Sequence, residues 1–136
     1  MRRHDQELLM SVVPYLTIPD GRAGEAADFY QKLFNAKETV RMPSEDGKRL
    51  MHVALDFHGG TLFLSDDFTG HARYPSMCSV FVRLAKPGDV DALFAQATGA
   101  GAKSIQAPQD MFWGDRFASF SDPFGHSWQI GAAKAP

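Results

Sequence analysis

Within eighteen residues, "WGDRFASFSDPFGHSWQI" at positions 113 to 130, the chain places both of its tryptophans, an Asp-Arg pair, an Asp-Pro-Phe-Gly run and a histidine. Each residue type carries a different chemistry. The Arg116 guanidinium is a two-pronged donor that would recognise an anionic or carbonyl-bearing group, or else pair with Asp115 or another acid. Trp113, just before Gly114, suits a pocket lid or a plug between packed units. Asp122, Pro123 and Gly125 stand at the first, second and fourth positions of a turn, so folding alone accounts for them and for Trp128 after them.

Outside this stretch the reactive types are few. Of five histidines, His4 lies near the start, His58 and His126 sit in or beside turns where a solvated or locally hydrogen-bonded role is expected, and His71 is in a polar connection. His52 differs. In "MHVALDF" it alternates with Met51, Val53 and Leu55, and so faces away from the side those apolar residues bury, as a ligand contact or a satisfied rim group. Asp66 and Asp67 read as solvated loop acids. Cys78 is the single cysteine; its parity predicts a buried, inert thiol.

Composition narrows the classes. The apolar share of 44% and charged share of 22% are those of a folded globular chain. A net charge of -2, with 14 scattered basic residues, supplies no positive field for nucleic acid. One cysteine excludes an internal disulfide and suits a reducing, cytoplasmic compartment. "MRRHDQELLM" lacks the apolar core of a signal peptide, no run is long enough to span a membrane, and residues 1–10 read as an N-terminal arm.

The elements that position these residues come from an internal repeat. Shifting the sequence by 66 residues lays Asn35-Ala36-Lys37 on Gly101-Ala102-Lys103, Asp56 on Asp122, Gly59 on Gly125, Leu62 on Trp128 and Leu64 on Ile130. Each half runs strand, helix, strand, hairpin. "SVVPYLTIP" and "MCSVFVRLA" alternate as half-buried strands. The first helix buries Ala23, Ala26, Ala27, Tyr30, Leu33 and Phe34 and ends at Asn35. The second buries Val90, Leu93, Phe94 and Ala97, with Pro87 before it and Gly99 and Gly101 closing it. Short strands follow (37–41 and 103–106), then the hairpins, the first turning at Gly59-Gly60. A single domain is expected: a first βαβββ module over 11–66, a linker over 67–76 and a second module over 77–131.

Paired modules of this kind, with "VPYLTI", "EAADFYQKLFNAK", "GGTLFLSD" and "FWGDRFASFSDPFGHSWQI", resemble the PhnB-like branch of the vicinal oxygen chelate superfamily, which includes glyoxalase I, bleomycin-resistance proteins and extradiol dioxygenases. The match spans residues 11–131. It implies an α+β fold in which both modules form a curled mixed sheet, a cup with helices outside, and a homodimer that completes or exchanges the modules. Superfamily enzymes hold a divalent metal with one His or Glu from the first and last strand of each module. Carried over, those positions are Val13, Phe63, Ser79 and Gln129, none of them a strong ligand.

The cup lining expected from strand alternation is Tyr15, His52, Phe63, Met77, Ser79, Phe81, Arg116 and Gln129, with Trp113 nearby: an apolar, aromatic pocket with a few directed polar groups. The leading expectation is a protein that binds a small organic ligand there, with no cofactor. One alternative is a lyase, isomerase or dioxygenase with a divalent metal relocated to His52, Asp66 and Gln129. The other is a resistance-type protein that sequesters a toxin or drug. The 3-demethylubiquinone 3-methyltransferase label of some PhnB-like proteins is not expected to apply, because "PDGRAG" is not the glycine-rich turn of a parallel-sheet nucleotide fold.

Overall fold

The computed structural model describes residues 10–134; the N-terminal arm, with His4, lies outside them except for Met10. The elements are β1 (Tyr15–Ile18), α1 (Ala23–Phe34), β2 (Lys37–Pro43), β3 (Leu50–Phe57), β4 (Gly60–Asp66), β5 (Ser79–Arg83), α2 (Pro87–Gly99), β6 (Lys103–Asp110), β7 (Asp115–Ser121) and β8 (Ser127–Ala133). They form two four-stranded mixed sheets, ordered β1-β4-β3-β2 and β5-β8-β7-β6. In each sheet the first strand runs parallel to the last and the other neighbours are antiparallel. This is the expected α+β pair of βαβββ units, and the registers show the repeat directly: Tyr15 pairs with Phe63 in the first sheet, and Phe81 with Gln129, each 66 residues further on, in the second.

The helices form where the sequence provides an apolar stripe. All six residues expected to face inward from α1 are buried. In α2, Val90 and Ala97 are buried and Leu93 and Phe94 pack against the core. Asn35 ends α1 in the left-handed conformation, at φ 53° and ψ 41°. At the other end Arg22 gives no side-chain cap. A carboxylate from β4 takes that place: Asp66 accepts the Ala23 N–H at 2.9 Å and the Leu50 N–H at 2.7 Å. Asp66 is therefore buried and committed to the backbone, which corrects its reading as a solvated loop acid.

Trp128 joins the two units. It projects from the helix-covered side of β8 to lie 5.0 Å from the Tyr30 ring and 4.8 Å from Phe34, with Phe57 of β3 stacked at 6.2 Å. Such aromatic pairs add about 0.5–1.5 kcal/mol each beyond the area they bury. Asp122 fixes the same cluster. One carboxylate oxygen accepts the Tyr30 hydroxyl and the Trp128 Nε1–H, and the other accepts the Phe124 and His126 backbone N–H groups. Burial first, and the Asp122 charge second, push the Tyr30 phenol well above its ordinary pKa, so it remains a donor. The folding role expected for Asp122 and Trp128 is what these contacts describe.

His126 is buried, not solvated. Its Nε2 donates to the Thr17 carbonyl at 2.9 Å, and the Tyr74 hydroxyl donates to the same oxygen at 2.7 Å, tying the linker and the second hairpin to β1. Tyr74 leans on Gly125, where φ is +91° and an added Cβ would lie 2.7 Å from Tyr74 Cδ1. Gly125→Ala is accordingly expected to cost about 2–4 kcal/mol, from left-handed strain plus overpacking, as read by urea denaturation.

Four strand boundaries and one turn differ from the sequence reading. β1 begins at Tyr15, β2 and β6 run on to Pro43 and Asp110, β5 begins at Ser79, and the first hairpin turns on His58-Gly59 with Phe57 opposite Gly60. Both turn residues have positive φ, 55° and 100°, as a two-residue hairpin of this twist requires. Among the described residues no helix is long and apolar enough to cross a membrane.

Candidate functional site

Each sheet buries one face under the helices and leaves the other open, and strand alternation decides which side chains reach the open face. On the first sheet Tyr15, Phe63 and Ala54 are cross-strand neighbours, with His52 two residues along β3. The three expected ring residues come together: His52 to Phe63 is 4.7 Å between ring centres, Tyr15 to His52 6.1 Å and Tyr15 to Phe63 6.2 Å.

On the second sheet Phe81, Gln129 and Ser119 form one row, and Ser79 sits opposite Ser127 with their hydroxyls 2.6 Å apart. Phe81 lies over β8 because Gly131 has no side chain; an added Cβ would be 3.0 Å from Phe81 Cζ. Phe117 shares this face opposite Gly131, with Trp113 edge-on at 6.0 Å. Trp113 donates its Nε1–H to Asp115 at 3.2 Å, and its half-exposed ring leans on Phe117 as a lid would. The edge strands β1 and β5 belong to different sheets and do not pair, and a groove of about 350 Å³, lined by Pro14, Tyr15, Ser79 and Phe81, lies between them.

Arg116 is not on this face. It pairs opposite Ala132 on the helix-covered side, where it reaches Asp91 of α2 at 2.8 Å and Asp110 of β6 at 3.2 Å. The cause is one residue in a turn. Phe57 and Gly60 enclose two residues, whereas the Asp122 N–H to His126 C=O bond encloses three, Pro123, Phe124 and Gly125. The extra residue moves β7 by one position relative to the 66-residue repeat, and a one-residue slip exchanges the faces of a strand. The structural counterpart of His52 is therefore Phe117, which the sequence reading passed over together with Ser119. Counting the turn residues between Asp122 and His126 would have revealed both.

The Arg116 ion pair holds the Asp91 carboxyl below the usual carboxylate range, and Asp110 is held down by Lys134 first and Arg116 second. These groups are exposed. Arg116→Ala is therefore expected to leave both ligand binding and the urea midpoint close to those of the unaltered chain.

Met77 and Cys78 also depart from expectation. Both precede β5, so neither has a strand face. Met77 is 99% exposed and is not among the residues lining the groove between β1 and β5, and Cys78, which does line it, is exposed rather than buried.

The metal positions implied by the resemblance do not fit a divalent ion. Phe63 has no donor atom, Val13 lies ahead of β1, Ser79 is bonded to Ser127, and Gln129 is a neutral amide. The relocated set does not assemble either. Asp66 is on the helix side of β4 while His52 and Phe63 are on the open side, and Gln129 belongs to the other sheet. Among the described residues no three His, Cys, Asp or Glu side chains gather as ligands.

Known proteins resemble this chain in sequence and in fold. The chain is 42% identical over 125 residues to an uncharacterized protein of Mycobacterium bovis, covering 87% of this chain and 80% of that one. An uncharacterized Mycobacterium tuberculosis protein is 42% identical over 125 residues, covering 87% of this chain and 71% of that one. Among solved structures, protein PA1353 of Pseudomonas aeruginosa superposes with a TM-score of 0.82 at 21% identity, over 93% of this chain and all of that one. A PhnB protein of Bacillus cereus bearing the name 3-demethylubiquinone-9 3-methyltransferase superposes at 0.76 and 20% identity, over 91% of this chain and all of that one. Residues 12–130 match the model of the Glyoxalase/Bleomycin resistance protein/Dioxygenase superfamily, and the chain belongs to that superfamily.

Proposed function

We propose that this chain binds a small organic molecule on the open faces of its two sheets, using side chains alone, and that a second copy of the chain covers the bound molecule. The observation that carries the reading is the Tyr15–His52–Phe63 cluster. Three rings converge on a sheet face, and Tyr15 remains 50% exposed. With Phe81 and Trp113, also partly exposed, they make an apolar patch with a few directed polar groups, His52, Gln129 and Ser79, which is the make-up of a ligand site. A homodimer is the economical cover, since the same patch on a second copy supplies a matching apolar surface. Binding with release of the molecule unchanged is favoured over metal-assisted turnover by the donor set described above. A reducing, cytoplasmic setting is part of the same reading, resting on the single cysteine.

The test is a fragment screen by ligand-observed NMR on the full chain, followed by titration of the hits. Phe63→Ala and Phe81→Ala are each expected to weaken the hits by about tenfold or more, the loss of about 1.4 kcal/mol of ring contact. Recovered hits should be chemically unchanged, and sedimentation should show a dimer. Hits indifferent to both substitutions would contradict the site, and a monomer would contradict the cover.

A further inference from the structure

Apart from His52 and the paired Arg83 and Asp115, the described polar side chains of the open face are neutral. Gln129 and Ser119 face one another across β7 and β8, with Ser79 and Ser127 one step further along. A cation does approach the rings: the Arg83 guanidinium carbon is 5.2 Å from the centre of Phe81. It lies opposite Gly131 and reaches across β8 to the Asp115 carboxylate at 3.6 Å. Arg83 remains largely exposed, so burial does not withhold it from a ligand. What does is Asp115, less exposed, which would repel any second carboxylate brought up to the same guanidinium.

We infer, resting on the reading that a ligand occupies this face, that it selects neutral, planar aromatic molecules bearing a carbonyl or amide, and that Asp115 is the residue that excludes anions. The aromatic part stacks on Phe81 and Phe117, and the carbonyl accepts from the Gln129 amide or a serine hydroxyl. Among the described residues an anion gains no free cation there. A cation meets only an acid that already has a partner.

Three congeners of one ring separate these cases: 2-naphthamide, 2-naphthoate and 2-naphthylmethylamine, the last protonated at neutral pH. They are titrated calorimetrically into the full chain, with the Phe63→Ala and Phe81→Ala chains alongside. Naphthamide is expected to bind at least about tenfold more tightly than either charged congener. Asp115→Asn frees Arg83 while keeping an acceptor for the Trp113 Nε1–H; it is expected to tighten naphthoate about tenfold and leave naphthamide within about twofold. A thermal melt confirms that this variant is folded. A charged congener binding as well as naphthamide, or an unchanged naphthoate-to-naphthamide ratio in Asp115→Asn, overturns the selectivity while the site itself stands. Binding of no congener, or binding indifferent to both ring substitutions, overturns the site and this inference with it.

Discussion

Asp122→Ala is expected to lower the stability of this chain by about 3–5 kcal/mol, because it leaves the buried Tyr30 hydroxyl and Trp128 Nε1–H without an acceptor and removes two backbone bonds that shape the turn. For a chain of this length that corresponds to a fall of about 10–20 °C in the thermal midpoint. Asp122→Asn keeps one acceptor oxygen but turns donors toward donors, and should lose less, about 1–3 kcal/mol. The effect is large because α1 of one module and β8 of the other meet at this one carboxylate. A melt within a few degrees of the unaltered chain would mean that the aromatic cluster holds without it.

The second large effect is expected at Asp66. Removing its carboxylate orphans the Ala23 and Leu50 N–H groups and strips the start of α1 of the side-chain acceptor that caps it, a cost of about 2–4 kcal/mol. Amide exchange should quicken in the first turn of α1 and at the start of β3. The hits that bind the open face should keep their affinity, since Asp66 lies on the opposite side of β4 from Phe63. Loss of ligand binding in a folded Asp66→Ala chain would show that this acid serves the site rather than the helix.

The helices were legible in the sequence because burial of one side imposes a 3.6-residue period that only a few positions satisfy, and in α1 all six expected residues are the buried ones. Strand alternation was legible as well: Tyr15, Phe63, Phe81 and Gln129 reach the open face as expected, and the parallel pairs β1 with β4 and β5 with β8 keep the 66-residue spacing. β7 escaped because a repeat fixes spacing while a turn fixes register. A single extra residue between Asp122 and His126 sent Arg116 to the helix side and put Phe117 in the site. Asp66 and His126 escaped for a different reason. Each is buried against a backbone group distant in sequence, the Ala23 N–H and the Thr17 carbonyl, and nothing local marks those partners. Met77 and Cys78 were assigned faces on a strand that begins only at Ser79.

Among its described residues this chain presents a candidate binding face without a metal-ligating set. Elemental mass spectrometry on untagged protein, before and after exposure to nickel, zinc, manganese and iron and removal of unbound metal, tests it most directly. No metal is expected to be retained in stoichiometric amount, and His52→Ala is expected to change nothing in the metal content. One ion per chain, lost in His52→Ala, would contradict it and would place the chain with the metal-dependent members of its superfamily.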